Sequence, residues 1–319
     1  MAALLEIQNL KKYFSTPAGI VHAVDDVSFK IEKGTTMGLV GESGCGKSTL
    51  GRTIIHLQDS TDGKILFEGN DVTKVNSKKL RELRNDMQII FQDPFASLNP
   101  RMSVKETIEE PLLLSGRFKG AELEKEVNRL MDLVGIENRL RNSYPHELDG
   151  GRRQRVGIAR ALALDPKFVV CDEPVSALDV SIQAQILNLL MDLQEEYNLT
   201  YLFVTHDLSV VRHISDTICV MYLGQMVEMA PTDELFENTL HPYTQALLSA
   251  ILTVDITKKR ERIKLKGEIT SPINPKPGCR FAPRCPYATE ECTKPVELRE
   301  VSKGHFVACA RVDQLSGKN

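Results

Sequence analysis

The sequence predicts an α/β fold, and three observations carry that expectation. Residues 35–40, 168–172 and 201–205 are apolar runs of strand length, the pattern of strands buried on both faces in a parallel sheet. The first two lead into stretches that read as helices, 47 to about 57 and 176 to about 197. From 103 to about 140 the pattern is helical, opened by a capping box of Ser103 with Glu106 three residues on. A helical insert in a strand-and-helix chain marks a subdomain.

Residues 4–10 and 22–31 alternate as strands do, parted by a Pro-Ala-Gly turn. Tyr13 stands between them. Its ring is suited to stacking on adenine, and equally to being a half-buried aromatic at a strand end. The strand 35–40 then enters Gly41-Glu-Ser-Gly-Cys-Gly-Lys-Ser48, which fits G-x-x-x-x-G-K-[ST], the phosphate-binding loop of nucleotide triphosphatases. Each residue type follows from the ligand. The glycines let the backbone turn so that successive N–H groups form a nest for anionic oxygens. Lys47 adds a charge that reaches the β- and γ-phosphates, and the Ser48 hydroxyl is placed to coordinate Mg²⁺. The N-terminus of the following helix adds a favourable partial charge beneath them.

Farther on, residues 63–69 are strand-rich, and 87–91 form an apolar strand ending in Gln92-Asp-Pro, where Pro94 disfavours helix at Asp93. Asp149, Gly150 and Gly151 start a basic, Ala-rich helix, a second helix N-terminus able to face an anion. The strand 168–172 ends in two acids. Asp172 is positioned for the Mg²⁺ shell and Glu173 to orient or deprotonate a water, unless the pair only caps the next turn. His206, ending the strand 201–205, can hydrogen-bond a γ-phosphate or that water; alone, it would read as a turn residue. Residues 232–251 read as helix broken at His241-Pro242, and 252–278 as a charged, Pro-rich linker. Cys279-x5-Cys285-x6-Cys292-x16-Cys309 follows.

The net charge of −3 over 319 residues leaves no electrostatic footprint for nucleic acid. No apolar run of about eighteen residues is present to span a bilayer, and the first residues do not read as a secretory signal, so a cytosolic chain is expected. There, four clustered cysteines point to metal rather than disulfides. In ligand count they suit zinc or an iron–sulfur cluster equally, though the gaps are wider than the C-x2-C pairs of zinc modules.

The phosphate loop, Gln92, the Gly-Gly-Arg-Arg-Gln helix start, Cys171-Asp-Glu-Pro, Ser176-Ala-Leu-Asp179 and His206 follow one another in an order that, over residues 4 to 250, resembles the ATP-binding subunit of ABC transporters. His241-Pro-Tyr-Thr244 and Gly278-Cys-Arg-Phe-Ala-Pro-Arg-Cys-Pro-Tyr287 resemble the C-terminal extension of the oligopeptide/dipeptide importer group, which includes nickel and some oligosaccharide importers. The resemblance implies a P-loop ABC-type ATPase with an antiparallel β subdomain, a helical subdomain over about 93–160 and a Cys-rich C-terminal extension. The nucleotide-binding domain is then 1–250 and the extension 251–319. Tyr13 is implied to stack adenine. Gly41, Glu42, Ser43, Gly44, Cys45, Gly46, Lys47, Ser48 and Thr49 are implied to bind the phosphates of ATP, with Ser48 and Gln92 on Mg²⁺. Asp172 is implied to act through the metal's water shell, Glu173 as catalytic base and His206 as γ-phosphate sensor. The Ser176–Asp179 stretch is implied to cross to a partner subunit, and Asp149, Gly150 and Gly151 to press on the ATP held by it. Cys279, Cys285, Cys292 and Cys309 are implied to hold a [4Fe–4S] cluster, with zinc as the alternative.

Implied partners are two membrane-spanning permease subunits, a second homologous ATPase and, indirectly, an extracytoplasmic substrate-binding protein, at the cytoplasmic face of the membrane. No nucleic acid is expected. The competing readings are a degenerate regulatory ATPase and an ABC ATPase outside transport. One departure matters: the family's signature starts Leu-Ser-Gly-Gly-Gln, and this chain has Leu148-Asp-Gly-Gly-Arg152. A carboxylate cannot donate to a γ-phosphate unless protonated. The site completed by Asp149 is therefore expected to hydrolyse ATP slowly, opposite a partner with an intact signature, unless Asp149 is an ordinary N-cap whose charge Arg152 and Arg153 offset.

Overall fold

The computed structural model describes residues 3–251, 263–265, 267 and 271–315, so most of the expected linker lies outside the described residues. The chain begins with β1 (Ala3–Thr16), β2 (Gly19–Glu32), β3 (Thr36–Val40), α1 (Lys47–Ile54), β4 (Asp62–Phe67) and β5 (Asn70–Asp71). It continues through α2 (Ser77–Asp86), β6 (Met87–Ile90), α3 (Pro94–Ser97), α4 (Val104–Ser115), α5 (Ala121–Leu133), α6 (Gly150–Leu162), β7 (Phe168–Asp172), α7 (Val180–Tyr197) and β8 (Thr200–Thr205). It ends with α8 (Leu208–Ile214), β9 (Thr217–Tyr222), β10 (Gln225–Pro231), α9 (Thr232–Glu237), α10 (Pro242–Ser249), β11 (Arg299–Ser302), β12 (His305–Val307) and α11 (Val312–Leu315). Two compact units emerge, one from residues 32–35 and 74–204, the other from the described residues of 2–31, 36–73 and 205–319.

In the first unit β6, β7 and β8 are parallel, with Ile90 opposite Cys171 and Cys171 opposite Phe203. Val169, Val170, Leu202 and Phe203 are fully buried, as apolar strands of a covered parallel sheet must be. The insert consists of α3, α4, α5 and α6 packed on one another. Its capping box is formed: Glu106 accepts from the Ser103 N–H at 2.7 Å, and Ser103 Oγ from the Glu106 N–H at 3.3 Å. The helix expected from residue 176 begins only at Val180. Ser176 and Leu178 donate three residues back, to the carbonyls of Glu173 and Val175, which makes 176–179 a turn ahead of the Asp179 N-cap. The helix α2 lacked a sequence signal because it buries only Leu83.

In the second unit one antiparallel sheet runs in the order β2-β1-β4-β5, with Leu5 opposite Phe67 and Ile7 opposite Ile65. In the other, β3 lies parallel to β9, and β9, β10, β12 and β11 follow antiparallel. The last two strands thus seat the tail on β10, with Glu228 opposite Val307.

A buried polar centre fixes that seating. The Glu228 carboxylate, fully buried, accepts from the N–H groups of Leu240 and His241 at 2.7 and 3.2 Å and lies 2.9 Å from His305 Nε2. His305 Nδ1 is 3.4 Å from Glu234. Burial alone would lower the His305 pKa, but hydrogen bonding and attraction to Glu228, then to Glu234, outweigh it and the net shift is upward. Buried His241 shifts the other way, pushed down to about 4 by loss of hydration, and its neutral Nδ1 accepts from the Tyr243 N–H. His305 therefore contributes stability fully below the ordinary value of 6.5, and loses it as pH rises through its raised value. His241 contributes fully above 6.5 and loses it as pH falls toward 4. Thermal unfolding followed against pH should show these two groups placing a maximum near pH 6.5, with His305→Leu removing the alkaline fall.

Candidate functional site

The phosphate loop, in the second unit, leaves β3 and enters α1, whose N-cap is Gly46 with φ +106°. A methyl group at Gly46 would stand 1.9 Å from the Ala23 carbonyl oxygen, so only glycine closes this turn. Ser43 and Gly44 form the exposed tip. Lys47 is 4% exposed, and its ammonium bonds the carbonyl oxygens of Gly41 at 2.7 Å and Glu42 at 3.2 Å. The loop is held from outside as well. Gly224 N–H donates to the Cys45 carbonyl at 2.8 Å, and Glu42 N–H to the Tyr243 hydroxyl at 2.9 Å. Ser48 and Thr49, partly exposed, occupy the first turn of α1. This arrangement suits a polyphosphate: a backbone turn at a helix N-terminus with one buried cation beside it.

Tyr13 lies within β1 rather than between strands. Its ring stacks on His22 with centroids 4.0 Å apart, and its hydroxyl donates to Asp25. Burial first, and then Asp25, raise its pKa well above the ordinary tyrosine value. His22 Nδ1 lies 3.1 Å from the same carboxylate. His206 is exposed beside Asp207, the N-cap of α8.

In the first unit, β7 delivers Asp172, fully buried, and Glu173, 8% exposed. Glu173 has a left-handed backbone, φ +48°, with its N–H on the Val204 carbonyl at 2.9 Å. Such a conformation costs of order 1 kcal/mol or more for a non-glycine residue and gathers where function demands it. Gln92, itself exposed, donates from Nε2 to Glu173 Oε2 at 3.0 Å, so two of the expected site residues meet directly. Asp149 is the N-cap of α6. It accepts from the Arg152 N–H at 2.8 Å and pairs with the Arg152 guanidinium at 3.1 Å. That is the ordinary capping role the sequence left open, with Arg152 offsetting the charge. Arg153 instead donates to the Pro145 carbonyl at 2.7 Å.

Cys279, Cys285, Cys292 and Cys309 are free thiols lining one small cavity together with Phe281 and Tyr287. Burial, with repulsion from Cys292 and Cys309, pushes Cys279 up to about 11; burial also raises Cys285 and Cys309. Among the described residues, no group of three or more His, Cys, Asp or Glu side chains is close enough to hold one metal ion. Four thiols around one cavity are a donor set that zinc sites and iron–sulfur clusters share.

Two arginines of the extension stretch 278–287 were given no role from sequence. Arg284 makes a bidentate pair with Glu42, Nη1–Oε2 2.7 Å and Nη2–Oε1 3.0 Å. Arg280 donates to Asp25 and to the Leu223 carbonyl.

Residues 24–176 match the family model described as ABC transporter, and 227–292 the one described as Oligopeptide/dipeptide transporter, C-terminal region. The chain is 52% identical over 320 residues to the oligopeptide transport ATP-binding protein AppF of Bacillus subtilis, covering 96% of each. It is 47% identical over 317 residues to the dipeptide transport ATP-binding protein DppF of Haemophilus influenzae, covering 97% of each. Among solved structures it is similar to an ATP-binding cassette in a dimeric post-hydrolysis state bound to ADP and Pi. That match has a TM-score of 0.66 and 30% identity over 72% of this chain and 98% of the other.

Proposed function

Since this chain belongs to the ATP-binding proteins of ABC transporters, we propose that its ATP hydrolysis energises a membrane importer of oligopeptides or dipeptides. It is an ATPase with the ABC cassette fold, mixed α/β with an antiparallel sheet and helices. What supports the cargo class is identity, along almost the whole chain and into the extension, to proteins named for peptide transport. On this reading 1–250 is the nucleotide-binding domain, with its helical part over about 93–160, and 251–319 the extension. No helix among the described residues is long and apolar enough to cross a membrane, and the chain sits peripherally at the cytoplasmic face, against two permease subunits.

The residues divide the work by their chemistry. Residues 41–49 bind the phosphates, with Lys47 supplying positive charge and Ser48 and Gln92 reaching Mg²⁺. Tyr13 offers adenine the face not stacked on His22. Asp172 holds the metal's waters, Glu173 takes the proton of the attacking water, and His206 senses the γ-phosphate. Asp149, Gly150 and Gly151 face the nucleotide of a second ATPase; although Asp149 caps α6 and Arg152 offsets its charge, it has no hydroxyl to donate, which leaves that site one donor short and slow to turn over. A heterodimer with a chain that keeps the serine then balances the pair, and a substrate-binding protein feeds the importer from outside. Cys279, Cys285, Cys292 and Cys309 would hold a [4Fe–4S] cluster, which pins the tail.

Purification from native membranes in mild detergent tests the assembly. Two membrane subunits and a second ATPase with Leu-Ser-Gly-Gly-Gln should accompany this chain. Recovery with no membrane protein would overturn the reading.

A further inference from the structure

Two guanidinium groups of the cysteine loop reach away from the cysteines, toward the phosphate loop and its surroundings. Arg280 and Arg284 are one helical turn apart in sequence, and between them Phe281 is 1% exposed. The Phe281 ring centroid lies 5.3 Å from those of both Tyr222 and Tyr243. Tyr222 and Tyr243 meet edge to face at 4.7 Å. This aromatic cluster is a rigid base, and from it two arms converge on Glu42. Tyr243 takes the Glu42 backbone N–H at 2.9 Å, and Arg284 takes both carboxylate oxygens. The Arg284 side chain is 9% exposed and that of Glu42 25%, so the pair is largely removed from water, where a forked guanidinium–carboxylate contact is strongest and most directional. The Glu42 carbonyl in turn accepts from Lys47.

We propose that Arg284 is a positioning residue for ATP binding: by fixing Glu42 at the entry of the phosphate loop, it sets the course of the amides that follow and neutralises a carboxylate that would repel the triphosphate. The proposal rests on the nucleotide reading above. It makes the cysteine loop part of the ATP site's support, although none of its residues bears the phosphate motif. Tyr243 alone does not fix the loop, because a single hydrogen bond leaves the Glu42 side chain and its charge unplaced.

The test is Mg-ATP titration of the purified full-length chain, alongside thermal unfolding. Arg284→Gln should raise the Kd about tenfold. Glu42→Gln should also raise it, and the double variant should bind no worse than Arg284→Gln, because both changes break one contact. The exchanged pair, Arg284→Glu with Glu42→Arg, should recover part of the loss, which a merely structural role would not produce. If Arg284→Gln also lowers the unfolding midpoint, the exchanged pair decides: recovered ATP affinity supports the proposal and unrecovered affinity overturns it. An unchanged Kd in Arg284→Gln, or losses that add in the double variant, overturns the positioning role alone. A wild-type chain that binds no ATP, unaffected by Lys47→Ala, overturns the nucleotide reading and the positioning role with it.

Discussion

Glu173→Gln should lower ATP turnover of the assembled transporter by about 10²–10⁴-fold, the range that a general base contributes, while ATP affinity stays within about twofold. The geometry explains why the two should separate. Glutamine has the same length, and its carbonyl oxygen can still accept the 3.0 Å hydrogen bond from Gln92 Nε2. The left-handed turn at φ +48°, tied to Val204 through the backbone, does not depend on the carboxylate. What the amide lacks is basicity, so an attacking water keeps its proton. Phosphate release at saturating Mg-ATP measures the loss, and nucleotide titration measures the retained affinity. Turnover within threefold of wild type would remove Glu173 from the mechanism.

The largest effect on stability is expected away from the nucleotide. Glu228→Ala should destabilise the second unit by about 3–5 kcal/mol, the cost of breaking a buried charged pair by deleting one partner. It strips the acceptor from the N–H groups of Leu240 and His241 and removes the 2.9 Å partner of fully buried His305, leaving it Glu234 at 3.4 Å. Buried donors without partners each add their desolvation cost. Urea unfolding measures the change, and the alkaline fall contributed by His305 should shrink with it. A loss below about 1 kcal/mol, the scale of exposed ion pairs, would mean that water enters the site and replaces the carboxylate.

How much of this was legible in the sequence follows the range of each interaction. The phosphate loop, the capping box at Ser103 and the buried strands at Phe168–Asp172 and Thr200–Thr205 are set by residues near one another in the chain, so spacing and periodicity reveal them. Glu173 was found from its place at a strand end, but its left-handed backbone and its bond to Gln92, 81 residues away, were not. Arg284 and Glu42 are 242 residues apart, Arg280 and Asp25 255, and His305 and Glu228 77. No periodicity joins such pairs. Single arginines in a loop read as solvated charges, and a glutamate in a strand as an outward-facing residue. The hairpin of β9 and β10 carried a signal that went unused: an apolar run to Tyr222, a Leu223-Gly224 turn with both residues at positive φ, and a second alternating run.

The pairing of β12 with β10 has a consequence for how copies of this protein behave in a crowded cell. A strand at the rim of a sheet offers unpaired amides and carbonyls to any extended segment that meets it. Without the tail, that rim would be β10, seven residues long and carrying Met226 and Met229. Instead the rim is β11, four residues with Arg299 and Glu300 turned to solvent, which is too short and too charged to template another chain. The tail is in this sense a guard against self-association. An engineered stop codon ahead of Arg299 would uncover β10 around Val227–Met229, where β12 now pairs with it, and the shortened chain would be expected in inclusion bodies even where its nucleotide loop is intact.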